Sequence, residues 1–456
     1  MTIISVNPAT ERELARFEED SESILEGKLE LARKAFVGWR RTSFGTRSAH
    51  LAAVAAQLRR DRDRLAQLAT DEMGKPIREA RGEVEKCALA ADYFAEQGER
   101  MLTPSALPSN ATRSLVQFLP LGVVLAVMPW NFPFWQAMRA ALPALMAGNV
   151  GLLKHASNVP QCALAIERVF VEAGLPEGVF QTLMIGSAAV ERVILDERVT
   201  AITLTGSEAA GAKVAATAGS VLKKCVLELG GSDPFIVLED ADVELAATVA
   251  CRARNQNNGQ SCIAAKRFIV VDAVADEFQR LLCAKVAALK VGDPMDESTE
   301  VGPLARRDLI QTLQDQLRRS LATGASGLVG GEALPGPGFY FQPTVAAVPT
   351  REFPIMREET FGPLAALLRV RDEEEAIAVA NDSQYGLGAA IFTSADRGER
   401  ISSRIEAGLV FVNGLVASDP RLPFGGVKRS GYGRELSEFG IREFTNVQTV
   451  WVGPAV

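Results

Sequence analysis

Three side chains in the sequence have the types and settings needed for a nucleophile, a general base and an oxyanion donor. Cys262, in NNGQSCIAAKR, follows a glycine that lets the backbone approach a reacting group, and a thiol is strongly nucleophilic once ionised. Glu228 lies at the end of the apolar strand segment VLEL, where partial desolvation should raise its pKa toward that of a general base. Asn131 stands between aromatic and proline residues in PWNFP, a rigid setting from which an amide can donate to an oxyanion.

Each of these three residues also has an ordinary structural explanation. Free cysteines commonly behave as small buried hydrophobes, which is our interpretation of the other five cysteines of the chain. The Glu228 carboxylate could pair with Lys223 or Lys224 or face solvent, and an isolated asparagine such as Asn131 is commonly a polar turn residue. Taken one at a time, the three residues therefore leave the function open.

Two further segments could bind a cofactor. In LLKHASNVP, a strand ends with Lys154 and a helix begins near Ser157. In LTGSEAAG, a strand passes through a tight turn into a helix, whose first backbone amides could bind a phosphate. The dinucleotide fingerprint GxGxxG does not occur in the chain, so the usual Rossmann inference cannot be made from it.

The surrounding pattern predicts an α/β protein. Residues ~22 to ~103 have helical spacing, and after Pro104 short apolar runs alternate with helical stretches, which is typical of a parallel, doubly wound sheet. Helices are predicted near 134–147, 160–173, 187–195 and 208–219. Predicted strands are Gly122–Val127, Val150–Lys154, Phe180–Ile185, Ala201–Thr205 and Cys225–Leu229, then, in a second α/β region, Asp233–Leu238, Arg267–Val271, Pro363–Val370, Ala389–Thr393 and Leu409–Asn413, with an edge strand at Val447–Val452 that needs a partner.

Composition excludes several classes of function. The net charge is −7, from 49 basic and 56 acidic residues, which argues against nucleic-acid or membrane-surface binding. The chain has two histidines, so a histidine-rich metal site is excluded and no metal is expected, and its six scattered cysteines form no CxxC pair. With neither a secretory signal nor an uninterrupted apolar span in the sequence, we expect a cytoplasmic protein with reduced thiols.

Together the segments resemble the aldehyde dehydrogenase superfamily along nearly the whole chain. KHASN, LELGGSDPF and ASDPRLPFGG are most similar to the bacterial and cyanobacterial succinate-semialdehyde dehydrogenase branch of that family. The motifs that carry the resemblance are NPAT (7–10), TDEMGKPI (70–77), PWNFP (129–133), LELGG (227–231), NGQSC (258–262), REETFGP (357–363) and PFGG (423–426).

The resemblance implies a Rossmann-type cofactor domain, an α/β catalytic domain and a small β oligomerisation element. The expected cofactor domain comprises residues 1–103 and 121–229, and the catalytic domain residues 230–432. The oligomerisation element would combine residues 104–120 with 433–456, which gives the C-terminal strand its partner. A homodimer or homotetramer is therefore expected.

The resemblance also implies the reaction. Cys262 attacks the aldehyde carbonyl, and the Asn131 amide and the Cys262 backbone N–H hold the oxyanion. Hydride leaves to the nicotinamide, and Glu228 activates the water that hydrolyses the resulting thioester. An accessible Cys262 thiol of low pKa would be open to oxidation. The cofactor residues implied are Trp130, Lys154, Ser157, Thr205, Gly206, Ser207, Leu229, Glu359 and Phe361.

Cofactor choice depends on Ser157. Relatives that prefer NAD commonly have a glutamate there, which repels a 2′-phosphate, whereas Ser157 leaves Lys154 able to pair with that phosphate. NADP is therefore the predicted cofactor, with NAD possible. His155 stands where relatives often have proline, and we expect its side chain to face solvent.

The predicted substrate is a small polar aldehyde that bears a carboxylate, most specifically succinate semialdehyde. Asn255 and Gln256 occupy positions where many relatives have phenylalanines that line an apolar tunnel. Candidates for binding the substrate are Arg139, the neighbouring Trp135 and Ser418. A surface salt bridge is the ordinary alternative for Arg139.

Three alternative functions remain open at this point. The chain could oxidise another small polar aldehyde, or be a CoA-acylating semialdehyde dehydrogenase, or be a catalytically retired dehydrogenase fold that serves as a structural or binding protein. Glu228 argues against CoA acylation, which needs no water-activating base. The intact set of Cys262, Glu228, Asn131 and Lys154 argues against a retired enzyme.

Overall fold

The computed structural model describes residues 2–453 and begins with a β-hairpin followed by a helical layer. The helical prediction for residues ~22 to ~103 is confirmed, whereas the hairpin was not predicted. Gly74 ends α3 in a left-handed conformation, with φ of 82°. Within residues 2–453, no helix is long and apolar enough to cross a membrane. The elements are β1 (Thr2–Val6), β2 (Glu13–Glu18), α1 (Glu22–Trp39), α2 (Phe44–Arg60), α3 (Arg62–Met73), α4 (Ile77–Leu102), β3 (Ser105–Ala106) and β4 (Arg113–Pro120).

The next segment forms a parallel sheet with helices on its faces, as predicted. Its strands are arranged in the order β9–β8–β5–β6–β7. Because β5 is the first of these strands in the chain and has β6 on one side and β8 on the other, the sheet has a topological switch point at β5, where a crevice opens at the carboxyl ends of the strands. The elements are β5 (Val123–Met128), α5 (Pro133–Met146), β6 (Val150–His155), α6 (Pro160–Glu172), β7 (Phe180–Thr182), α7 (Val190–Leu195), β8 (Val199–Thr205), α8 (Glu208–Ser220) and β9 (Lys224–Glu228).

A second α/β unit follows directly and contains the five further strands predicted. Its strand order is β12–β13–β14–β11–β10–β16–β17, with every neighbouring pair parallel except β12 and β13. The elements are β10 (Asp233–Val237), α9 (Val243–Asn255), β11 (Ala265–Val271), α10 (Asp272–Ala287), α11 (Arg307–Ala322), β12 (Ser326–Val329), β13 (Thr344–Val348), α12 (Pro354–Arg357), β14 (Leu364–Val370), α13 (Glu373–Asn381), β15 (Tyr385–Gly386), β16 (Gly388–Phe392), α14 (Ala395–Ser402) and β17 (Leu409–Val412).

The C-terminal segment returns to the earlier parts of the chain. It consists of β18 (Val427–Lys428), β19 (Gly431–Tyr432), α15 (Ser437–Glu443) and β20 (Thr445–Val452). Strand β19 pairs antiparallel with β9, and β20 pairs antiparallel with β4 along its whole length. The predicted edge strand therefore has its partner in the 104–120 segment, as expected. The assignment of the three sheets to cofactor, catalytic and oligomerisation domains with the expected boundaries remains a prediction.

Candidate active site

A very short connection joins the two large sheets. Glu228 ends β9, and the chain passes through Gly230 and Gly231 into β10. A Cβ atom on Gly230 would lie 2.7 Å from a Glu359 carboxylate oxygen, and one on Gly231 would lie 2.6 Å from the Cys262 carbonyl oxygen. Glycine is therefore required at both positions, because a side chain would separate the elements that carry the candidate catalytic groups.

A strained turn places Cys262 immediately before β11. Asn257, Asn258 and Gly259 all have positive φ, at 55°, 58° and 72°. The Asn257 side-chain amide donates to the carbonyls of Asn131 and Gln260, at 2.8 and 2.9 Å. The turn thereby fastens the cysteine loop to the loop that follows β5, and it brings two predicted catalytic residues into one site.

Cys262 lies where two cavities adjoin, of about 300 Å³ and about 200 Å³. Gln136 also lines both cavities. Predicted residues that line the smaller cavity are Trp130, Asn131, Thr205, Gly206, Ser207, Leu229, Glu359 and Phe361. Predicted residues that line the larger cavity are Trp135, Arg139, Gln256 and Ser418.

Glu228 has the surroundings expected of a base. Its side chain is 2% exposed, and neither carboxyl oxygen has a hydrogen-bond partner among residues 2–453. Burial raises its pKa well above the usual range, and the nearby Glu435 carboxylate raises it further, whereas Arg139 lowers it. Pairing with Lys223 or Lys224 does not occur, since the first caps the carbonyls of Ile194 and Asp196 and the second pairs with Glu443.

The surroundings of Cys262 raise the pKa of its thiol. The Cys262 thiol is partly exposed to the cavities, but burial of the site raises its pKa to about 12, an effect that Arg139 and Lys266 oppose. A Cys262 thiol of low pKa, the condition given above for ready oxidation, is therefore not present in this cofactor-free form, because desolvation disfavours the thiolate more than the two cations favour it. All six cysteines of the chain are free thiols, as predicted.

The Asn131 amide is held on both sides. Its Nδ2 donates to the Gln260 carbonyl at 3.0 Å, and its Oδ1 accepts from Gln136 Nε2 at 3.0 Å. One N–H of the amide remains for a third partner, since a primary amide has two. Asn131 and Cys262 line the same cavity, so this N–H is positioned for an oxyanion formed on the substrate.

The smaller cavity has the features of a dinucleotide site. It opens at the switch point of the first sheet, and Gly206 and Ser207 bring the N-terminus of α8 to its wall, where backbone amides favour a phosphate. Trp130 and Phe361 meet edge to face at 5.7 Å between ring centroids. The Glu359 carboxylate accepts from the Gly231 N–H at 3.0 Å and lines the same cavity, as an acceptor for ribose hydroxyls should.

Two predicted cofactor residues lie outside this cavity, at the end of the neighbouring strand β6. Lys154 is buried, which lowers its pKa, while Glu19 opposes that effect, and Ser157 is exposed in the turn before α6. His155 between them is also buried, so the expectation that it faces solvent is wrong. Its Nε2 donates to the Pro133 carbonyl and its Nδ1 accepts from the Ala156 N–H, both at 2.9 Å. Burial lowers the pKa of His155 to about 4, and the neutral ring ties β6 to the start of α5.

The larger cavity is lined by the three predicted substrate residues, which contact other protein groups. The Arg139 guanidinium forms a buried ion pair with Glu435 and lies 4.3 Å above the Phe424 ring. The alternative of a surface salt bridge is therefore wrong in its location, because the ion pair is in the interior. Trp135 Nε1 donates to Ser418 Oγ at 3.1 Å. Asn255 does not line the cavity, contrary to expectation, because its side chain turns back to donate to the Cys251 carbonyl.

Several residues of the site were missed at the level of sequence. Glu435, Gln136 and Gln260 act through partners far away in the chain, and no local pattern identifies them. Lys86 lines the larger cavity, yet it lies on α4 among charged residues that are typical of a solvated helix face. The spacing Glu83–Lys86 on one side of a helix is the only sequence signal, and it also fits an ordinary surface pair.

Two adjoining cavities that share one thiol are the arrangement expected of a dehydrogenase that works through a covalent thioester. Comparison with known proteins gives the family: the model of the aldehyde dehydrogenase family matches residues 1–450. The chain belongs to the aldehyde dehydrogenase family.

Among its relatives, a probable succinate-semialdehyde dehydrogenase [NADP(+)] of Synechocystis sp. is 51% identical over 453 residues, covering 99% of this chain and 100% of the relative. The succinate semialdehyde dehydrogenase [NAD(P)+] Sad of Escherichia coli is 49% identical, covering 98% of this chain and 97% of the relative. The crystal structure of a succinic semialdehyde dehydrogenase from Streptococcus pyogenes with NADP+ superposes with a TM-score of 0.97 at 42% identity, covering 99% of this chain and 100% of that one.

The raised pKa of Cys262 predicts the pH dependence of its alkylation. In the cofactor-free protein, the rate of iodoacetamide reaction at Cys262, followed by peptide mass spectrometry, should rise about tenfold per pH unit from pH 7 to 9.5 without levelling off, because only the thiolate reacts. The rate of the same reaction with glutathione, measured in parallel, should level off above the ordinary thiol pKa of about 8.5. A plateau at Cys262 below pH 9 would show that burial does not control the thiol.

Proposed function

We propose that this protein oxidises succinate semialdehyde to succinate with NADP+ as the preferred electron acceptor and NAD+ as a weaker one. The observation that carries the proposal is the position of Cys262 between a dinucleotide-type crevice and a polar substrate cavity. The buried Glu228 carboxylate at the end of β9, without a hydrogen-bond partner among residues 2–453, adds a candidate base. The relatives named for this activity, which align over nearly the whole chain, support the choice of substrate and cofactor.

In the first step, Cys262 forms a covalent bond to the aldehyde. The thiol gives its proton to water, and Arg139 and Lys266 are the cations that favour the thiolate. The sulfur attacks the carbonyl carbon and gives a thiohemiacetal oxyanion. The free Asn131 N–H and the Cys262 backbone N–H stabilise this oxyanion, which is where charge develops in the transition state.

The residues of the smaller cavity fit a nicotinamide dinucleotide. The start of α8 would hold the pyrophosphate, Glu359 a ribose, and Trp130 and Phe361 the faces of the crevice. Bound NADP+ supplies the hydride acceptor that converts the thiohemiacetal of Cys262 into a thioester. At the adenosine end, the uncharged Ser157 next to the cation Lys154 suits a 2′-phosphate.

In the last step, Glu228 releases the product. Its carboxylate takes a proton from a water molecule, the water oxygen attacks the thioester carbonyl, and the Cys262 thiolate leaves. A raised pKa makes Glu228 a stronger base than an exposed carboxylate, and its two unpartnered oxygens leave it free to bind that water. This role for Glu228 is the reason to favour hydrolysis over transfer of the acyl group to CoA.

We also propose that the β3–β4–β20 sheet is the assembly element of a homodimer or homotetramer that works in the cytoplasm. Val447, Trp451 and Val452 of β20 are exposed, so a second subunit would cover apolar surface there. The six free thiols suit a reducing compartment.

The substrate proposal predicts a clear preference in steady-state assays. NADPH formation at 340 nm, without CoA, should give kcat/KM for succinate semialdehyde at least about tenfold above that for butanal, since a charged contact to the carboxylate adds about 1.4 kcal/mol or more. A requirement for CoA would establish the acylating reaction instead. No turnover with any small aldehyde would establish a non-catalytic protein.

The cofactor proposal predicts that Ser157→Glu reverses the preference. A carboxylate beside the 2′-phosphate should lower the ratio of kcat/KM with NADP+ to that with NAD+ by about 100-fold, because like charges at such a contact cost several kcal/mol. Ser157→Gln, which has the same length without the charge, is the matched control and should change the ratio by less than about fivefold. Equal ratios for the two variants would contradict the proposed role of Ser157.

A further inference from the structure

The larger cavity offers more than one cation to a negatively charged substrate. Among residues 2–453, the cationic side chains that line it are Lys86, Arg139 and Arg252. The charge of Arg139 is partly compensated by its buried ion pair with Glu435, whose carboxylate also raises the pKa of Glu228. Arg252 is exposed to solvent, where a charge contributes little to binding. Lys86 differs from both of them.

The Lys86 ammonium is oriented by two contacts inside the protein. Its Nζ donates to Ser418 Oγ at 2.7 Å and lies 4.4 Å above the Trp135 ring. These contacts join α4, α5 and the loop after β17, so the position of the charge is fixed by three separate elements. A fixed charge suits selective binding because less side-chain entropy is lost when a ligand arrives.

The hydroxyl of Ser418 is poised to donate. Its oxygen accepts from Lys86 Nζ at 2.7 Å and from Trp135 Nε1 at 3.1 Å. A hydroxyl oxygen has two lone pairs, and both are occupied by these donors. The Ser418 O–H therefore has to find an acceptor other than these two neighbours, and a substrate carboxylate would supply one beside the ammonium.

The charge on Lys86 is not neutralised by a neighbouring carboxylate. None of the described residues forms an ion pair with it. Glu83, one turn earlier on α4, pairs with Lys75 and accepts the backbone N–H groups of Phe134 and Trp135.

The remaining charges around Lys86 do not compensate it either. Asp419 pairs with Arg421, and Arg139 adds a like charge. Burial, followed by the charge of Arg139, lowers the pKa of Lys86 to about 8, while Cys87, Glu83 and Asp419 oppose the shift. A bound anion would therefore stabilise the ammonium.

We propose that Lys86, together with Ser418, binds the terminal carboxylate of the aldehyde substrate. The inference rests on the proposed function, since it needs a carboxylate-bearing substrate. It assigns Lys86, which the sequence did not single out, as a residue that determines specificity.

The test compares Lys86→Met with the wild type on two aldehydes of equal length. Methionine keeps the length of the side chain and removes the charge, so KM for succinate semialdehyde should rise about 30-fold while kcat/KM for butanal changes less than about threefold. Lys86→Arg should restore most of the lost affinity. Lys34→Met, the same replacement at an exposed lysine of α1 that lines neither cavity, is the matched control and should leave both aldehydes within about twofold.

A pH profile gives a second readout that a structural defect would not produce. KM of the wild type for succinate semialdehyde should increase as pH rises above about 8, because the free ammonium loses its proton there, while KM for butanal stays level. In Lys86→Arg the increase should disappear, since a guanidinium stays charged at these pH values. An unchanged profile in Lys86→Arg would count against the inference.

The outcomes separate this inference from the proposed function. Equal losses on both aldehydes in Lys86→Met, or no loss on either, overturn the role of Lys86. If the wild type does not prefer succinate semialdehyde, the proposed substrate is wrong, and succinate is then used as an inhibitor of butanal oxidation. Inhibition that weakens about tenfold or more in Lys86→Met still establishes the carboxylate subsite, and inhibition of equal strength in both proteins overturns it.

Discussion

The close approach of the backbone at Gly230 and Gly231 to Glu359 and Cys262 is the constraint on which the site depends. The carboxyl end of β9 and the amino end of β10 are separated by only four residues, and a Cβ atom on either glycine would collide with Glu359 or Cys262. Because the backbone at Gly231 can approach the Cys262 carbonyl, the strand end that carries Glu228 lies close to the loop that carries the thiol, although the Glu228 side chain lines neither cavity. The dinucleotide crevice and the substrate cavity are two sides of that junction.

Burial of charge gives this junction its chemistry. Glu228 and Glu435 both lie in the interior, and Arg139 is the cation that opposes both of the resulting pKa increases. Such an arrangement costs stability, since removing carboxylates from water is unfavourable even when one cation compensates them. Functional sites retain such destabilising burial because a buried carboxylate without hydrogen-bond partners is a stronger base than a solvated one. The same burial keeps the Cys262 thiol protonated in the cofactor-free form.

The sequence was most informative where local patterns control structure. Apolar runs bounded by turns predicted the parallel strands of the first large sheet and five of the seven strands of the second, but not β12 and β13. Glycine-containing turns marked Cys262 and Glu228, because each depends on neighbours within a few residues. Side-chain positions that depend on contacts between residues far apart in the sequence could not be predicted from such local patterns. His155 is buried because Pro133 offers an acceptor, Glu435 acts from the far end of the chain, and Lys86 reaches a cavity from a helix with an ordinary polar face.

The central claim is that Cys262 and Glu228 act in succession, the first to form a thioester and the second to hydrolyse it. Rapid mixing of the Glu228→Gln variant with succinate semialdehyde and NADP+ tests it directly. We predict a burst of about one NADPH per active site, then turnover slowed by about 100-fold or more, with one succinyl group on Cys262 in the intact mass. Absence of the burst, or turnover equal to that of the wild type, would contradict the account.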